Sequence, residues 1–235
     1  MAESFIEVDN FSYWVARERV LDRISLSIER HTITAIEGPS GSGKSMLLRS
    51  INRTQNAGRR GRHEGDIRIR GFSIYDRHMD LTAVRRRVGT LFEKPTPFPG
   101  SVFENAVYPL RASGVRDHAF LEVAAERALR RAGLWEQVRD RLDAGAFQLG
   151  FSMQQQLCLA RTISHDPDIL LLDNPFAYLD VTASARFESL LRPMASHCTI
   201  IFVTGDRSVA ARTADREVWL RNGSLVDDTG GAQGD

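Results

Sequence analysis

The feature that most limits how this chain can fold is the run Gly38-Pro39-Ser40-Gly41-Ser42-Gly43-Lys44-Ser45. It fits the pattern G-x-x-x-x-G-K-[ST]. Ile33-Thr34-Ala35-Ile36 before it reads as a buried strand, and Met46-Leu47-Leu48 after it opens a helix. The glycines let backbone N–H groups curl around a phosphate chain without Cβ clashes. The helix N-terminus adds a favourable dipole. Lys44 is then expected to reach the β and γ phosphates, and the Ser45 hydroxyl to ligate Mg²⁺. A glycine-serine turn that binds nothing is the plainer reading, and the lysine with its flanking strand and helix argues against it. Ile169-Leu170-Leu171-Leu172-Asp173 supplies a second half. A strand ending in a carboxylate beside such a loop holds the Mg²⁺ water shell.

The chain has 235 residues, 42% hydrophobic and 26% charged, which suits one α/β domain with an inserted subdomain. A net charge of +1 gives no electrostatic case for nucleic acid or an acidic membrane surface. Cys158 and Cys198 lie in apolar contexts and read as reduced packing residues of a cytosolic protein. No N-terminal signal is evident, and no apolar run approaches the roughly 20 residues that span a bilayer. A membrane role is therefore expected only through a partner. The six histidines show no metal-site spacing.

Along the chain, Phe5-Ile6-Glu7-Val8 reads as a strand. So do Ile24, Leu26 and Ile28, which alternate with Ser25 and Ser27, and Ile67 and Ile69, which alternate with Arg68 and Arg70. The basic stretch Gly58 to His63 reads as a solvated loop. Asp117 is expected to cap a helix running to Ala132, with Phe120, Val123, Ala124, Ala128 and Leu129 as its apolar stripe. Gly133 sits where a helix end calls for positive φ. Thr199-Ile200-Ile201-Phe202-Val203 is a further buried strand, and Thr229 to Asp235 is expected to fray.

With these residues in place, the chain resembles an ATP-binding-cassette (ABC) ATPase, similar to the ATP-binding subunit of bacterial phosphate importers. The resemblance runs from about Phe5 to about Asp228. It is carried by the Gly38–Ser45 loop, Lys94-Pro95-Thr96-Pro97-Phe98-Pro99, Leu134-Trp135, Asp140-Arg141-Leu142, Gln154-Gln155 and Leu157-Cys158-Leu159-Ala160-Arg161. It implies a P-loop NTPase domain over residues 1–235, with a RecA-like core and an inserted helical subdomain at about 94–162. ATP and Mg²⁺ are the implied cofactors. The implied assembly is a head-to-tail pair of subunits, as homodimer or heterodimer with another ABC subunit, docked on a membrane permease. The implied location is cytoplasmic, at the inner face of the cell membrane. Among neighbours of the loop, Met46 takes the place of a usual Thr. Tyr13 or Trp14 is the candidate for stacking adenine, with core packing as the competing reading. Asp180 matches an aspartate through which subunits communicate, and also reads as a helix N-cap.

The departures from this family cluster at catalytic positions. The family's glutamine after Phe92 is Glu93, which retains the ability to ligate metal but repels a γ-phosphate. The glutamate expected after Asp173, the family's general base, is Asn174, whose amide positions water but takes no proton. The histidine expected after the Thr199–Thr204 strand is Gly205. The signature Leu-Ser-Gly-Gly-Gln aligns with Leu149-Gly150-Phe151-Ser152-Met153, and its following arginine with Gln156. His165 and His197 do not stand at the family's histidine position. Both halves of a composite site are therefore altered in one chain. Weak or absent hydrolysis is the expectation, either in a transporter subunit or in a non-hydrolysing regulator. Drift in a decaying gene copy stays open beside selection for binding alone.

Overall fold

The computed structural model describes residues 4–55 and 61–226. The chain opens with the strands β1 (Ser4–Val15), β2 (Glu18–Glu29) and β3 (Ile33–Glu37), then the short helix α1 (Lys44–Ser50). Next come β4 (Gly61–Ile69), β5 (Phe72–Ser73), α2 (Leu81–Arg87) and β6 (Val88–Leu91). The helices α3 (Val102–Ala112), α4 (His118–Arg131), α5 (Trp135–Val138) and α6 (Phe151–Ile163) follow without an intervening strand. The last third alternates: β7 (Ile169–Asp173), α7 (Val181–Ala195), β8 (Thr199–Val203), α8 (Arg207–Thr213), β9 (Arg216–Arg221) and β10 (Ser224–Val226).

Two sheets result. The first is antiparallel in the order β2-β1-β4-β5. In β2, Leu21, Ile24, Leu26 and Ile28 are buried while Ser25 and Ser27 are exposed, so one face packs and the other meets water. The second sheet runs β10-β9-β3-β8-β7-β6, with every pair parallel except the edge pair β9/β10. Its central strands β3, β7 and β8 are buried along their whole length. That explains their continuous apolar runs, because a parallel sheet is covered on both faces. Alternate residues divide between two cores. Leu170 and Leu172 join one with the helices α3 to α7, whereas Ile169 and Leu171 join the other with α1 and the antiparallel sheet.

The helical segment between β6 and β7 begins with a reciprocal cap. Ser101 accepts from the Glu104 N–H, and the Glu104 carboxylate accepts from the Ser101 N–H. Asp117 caps α4 by accepting from the Phe120 N–H, and Gly133 ends that region with φ 69°, both as the sequence implies. The stripe on α4 differs from the expectation. Leu121, Ala124, Ala125, Ala128 and Leu129 are its buried residues, while Phe120 and Val123 are exposed. Gly61, Arg62 and His63 also differ: they belong to β4 rather than to a loop, paired with Val15, Trp14 and Tyr13 of β1. The rest of that expected loop, and the expected fraying of residues 229–235, lie outside the described residues. Among the described residues, no helix is long and apolar enough to cross a membrane. Cys158 and Cys198 are both buried.

Candidate nucleotide site

The carboxyl ends of β3, β7 and β8 lie side by side, because β8 pairs with both β3 and β7. In open α/β sheets, ligands bind in the crevice beyond such ends. Here the loop after β3, Asn174 just past the end of β7 and Gly205 after β8 surround a cleft of about 430 Å³. Its walls include Gly38, Ser40 to Met46, Glu93, Asn174 and Gly205, while Pro39 and Asp173, also expected at the site, do not line it. Val20 and Val203 line it as well and have no motif to announce them.

The glycines of the loop are there for backbone reasons. Gly38 has φ 139°, and a Cβ on it would lie 2.0 Å from the Leu220 carbonyl oxygen. Gly43 has φ 102°, and a Cβ on it would lie 2.9 Å from both the Val20 carbonyl oxygen and the Leu21 side chain of β2. Lys44 folds back over this loop, its Nζ donating to the carbonyls of Gly38 and Pro39 at 2.7 Å each. Burial lowers its pKa from the ordinary lysine value, against an upward pull from Asp173. The Ser42 hydroxyl is buried and has no hydrogen-bond partner. A buried orphan donor beside curled N–H groups suits a phosphate oxygen.

Asp173 is 1% exposed. Its Oδ1 accepts from the Ser45 hydroxyl at 2.6 Å, and its Oδ2 accepts from Arg49 Nε at 3.0 Å and Nη2 at 2.7 Å. Sequence reasoning missed Arg49. Among the described residues no group of three or more His, Cys, Asp or Glu forms a metal cage. The cleft wall offers hard oxygen from the Ser45 hydroxyl and the Glu93 side chain, with the Asp173 carboxylate behind Ser45 as its hydrogen-bond acceptor. That set fits Mg²⁺, which keeps several waters and takes the rest of its shell from substrate phosphates.

Glu93 follows β6. The carbonyl of Phe92 before it accepts from Gln155 Nε2 at 2.9 Å, which ties this loop to α6. Asn174 has φ 49°, a left-handed conformation that asparagine tolerates better than most residues. Gly205 faces open space, with no heavy atom within 4 Å of where its Cβ would be. The aligned signature segment stands away from this cleft. Gly150 caps α6 without a side-chain bond, and the half-exposed Phe151 ring packs edge-on against Tyr178 at 5.4 Å. Gln156 donates to the carbonyls of Ala132 and Gly133. Asp180 caps α7, accepting from the Ala183 N–H at 2.8 Å.

The two aromatic candidates part company. Tyr13 is buried against Phe11, with ring centroids 6.5 Å apart, so the structure corrects its reading as an adenine platform in favour of packing. Trp14 is half-buried, and the Arg62 guanidinium covers its ring at 4.2 Å. Neither lines the phosphate cleft. His165 is partly buried and His197 exposed, and neither lines it.

Comparison with known proteins agrees with this geometry. A family model described as ABC transporter matches residues 21–177. The phosphate import ATP-binding protein PstB of Idiomarina loihiensis is 40% identical over 225 residues, covering 96% of this chain and 83% of the relative. PstB 1 of Yersinia pestis is likewise 40% identical, with the same coverage of 96% and 83%. Among solved structures, the dimeric post-hydrolysis form of the ATP-binding cassette MJ0796 bound to ADP and Pi superposes with a TM-score of 0.81. It is 27% identical, over 94% of this chain and 97% of that one. The cbiO1 protein of Clostridium perfringens, 23% identical over 96% and 88% of the two chains, shows the same fold at a TM-score of 0.83. The chain belongs to the ABC transporter family and, within it, is similar to phosphate-import ATP-binding proteins.

Proposed function

We propose that this chain binds Mg²⁺–ATP as the nucleotide-binding subunit of an importer-type transporter and hydrolyses it weakly or not at all. The observation that carries the reading is the division within one cleft. Gly38 and Ser40 to Ser45 line it, with Asp173 bonded to Ser45 from behind, whereas Glu93, Asn174 and Gly205 in the same cleft stand where the family places its catalytic side chains.

The chemistry follows from these side chains. The loop N–H groups, the Ser42 hydroxyl and Lys44 cradle the phosphates. Ser45 and Asp173 hold Mg²⁺, with Glu93 as a further oxygen donor. Bound Mg²⁺ supplies neutralisation of phosphate charge. Asn174 orients water through its amide but accepts no proton, and loss of a general base typically costs about 10²–10⁴ in rate. Gly205 supplies no group to stabilise the transferring phosphoryl. Because Gly150, Phe151 and Met153 alter the signature segment too, a partner's site facing this chain is also weakened. A homodimer then carries two slow sites. In a heterodimer with an intact partner, each site keeps one defective half.

Similarity to PstB proteins and to a dimeric cassette supports assembly as a pair on a membrane permease, at the inner face of the cell membrane. The second reading, a nucleotide-dependent regulator without turnover, is favoured by the coincidence of Asn174 and Gly205 in the same cleft. Calorimetric titration with ATP and Mg²⁺ tests the proposal, with Lys44→Ala as control. Micromolar, Mg²⁺-dependent binding that is lost in the control is expected. Equal binding by both proteins would overturn it. Co-purification with a permease separates the two readings.

A further inference from the structure

Asp173 is nearly sealed from solvent, and both of its carboxylate oxygens are engaged. A buried carboxylate without a counter-ion costs several kcal/mol. Arg49 is the counter-ion. It stands four residues after Ser45 on α1, so one helix face presents both side chains to the end of β7. The two contacts differ in kind. Arg49 places Nε and Nη2 on Oδ2 alone. Ser45 donates its single hydroxyl proton to Oδ1. A hydroxyl has one proton and two lone pairs, so a Ser45 whose proton is committed to Asp173 has its lone pairs left for other partners. Ser45 lines the cleft.

We infer that Arg49 is a positioning residue for the metal site. It holds the Asp173 carboxylate in the rotamer that takes the Ser45 proton, and so keeps a Ser45 lone pair turned to the Mg²⁺ position. Groups that orient metal ligands in this way are worth about 10–100-fold in metal affinity. Arg49 itself touches neither metal nor phosphate in this arrangement. This inference rests on the reading that Ser45 and Asp173 serve Mg²⁺.

The test is an Mg²⁺ titration of ATP binding, followed calorimetrically, on the unaltered chain, R49M, R49K, D173N and R49M/D173N. R49M is expected to raise the Mg²⁺ concentration for half-saturation about tenfold, while ATP affinity in EDTA changes by less than about twofold. R49K keeps the charge but not the two-nitrogen contact, and shifts the half-saturation in the same direction by less. It also serves if R49M does not fold. In the D173N background, R49M adds nothing, because the effect passes through Asp173. An unchanged or lowered half-saturation in both R49M and R49K overturns the role. So does an equal further loss on the D173N background. Absence of any Mg²⁺-dependent ATP binding in the unaltered chain overturns the nucleotide-site reading along with it.

Discussion

The Ser45 hydroxyl and Asp173 carboxylate, 128 residues apart in sequence, meet at 2.6 Å and join the loop after β3 to the end of β7. The half of the site proposed to bind Mg²⁺–ATP is thus assembled within the chain. Removing the hydroxyl with S45A is expected to weaken Mg²⁺-dependent ATP binding at least tenfold while leaving metal-free binding nearly unchanged. Isothermal titration with and without EDTA measures both. The order of magnitude is that of losing an oriented metal ligand or its support.

On the proposed reading, the catalytic half can be rebuilt. Gly205 has open space where a side chain would project, so G205H is expected to fold with little change in stability. Asn174 sits at φ 49°, and N174E is expected to cost about 1 kcal/mol, since left-handed backbone disfavours most residues. The double variant N174E/G205H is expected to raise steady-state phosphate release by at least about 10²-fold, the low end for a restored general base. A rise of less than twofold would locate the defect in the signature segment instead.

The loop glycines separate by surroundings. G38A drives a Cβ toward the Leu220 carbonyl at 2.0 Å and is expected to destabilise by more than about 2 kcal/mol. G41A meets nothing within 4 Å and carries only the left-handed strain of its φ of 80°, about 1–2 kcal/mol. Urea melts of the two variants give the comparison.

Stability should fall on mild acidification. Burial is the main cause holding His63 below its ordinary value of 6.5, with Arg53 adding to it. Burial does the same to His165, against an opposing hydrogen bond with the Arg86 backbone. A histidine whose folded pKa is depressed contributes stability above its unfolded pKa and loses it as pH falls toward the folded value. The melting temperature is therefore expected to drop between about pH 7 and pH 5.5, and the drop to shrink in H63Q and H165Q. A flat profile over that window would contradict the assignment.

The loop, the buried strands and Asp173 were legible because each is a local pattern: glycines at fixed offsets, β-branched runs and a carboxylate at a strand end. Arg49 was not, since its partner lies 124 residues away and α1 alone shows only a surface cation. The adenine candidates were ambiguous for a physical reason. β1 departs from simple alternation between Val8 and Phe11, again before Tyr13 and once more before Trp14, so side-chain faces there do not follow a period of two. On α4 the apolar residues outnumber those that the neighbouring helices cover, and periodicity alone did not choose between Phe120 with Val123 and Leu121 with Ala125. The departures at Glu93, Asn174 and Gly205 were visible only against the family pattern, and the structure brings all three to one cleft.

The most direct test of binding without efficient turnover is a single-turnover experiment with γ-labelled ATP at saturating Mg²⁺, scored as phosphate released per bound nucleotide. Release indistinguishable from the spontaneous background of protein-free ATP, with the unaltered chain fully occupied, is the predicted result. Release near ordinary enzyme rates, on the order of 1 s⁻¹ or more, would contradict the account and return catalysis to this cleft.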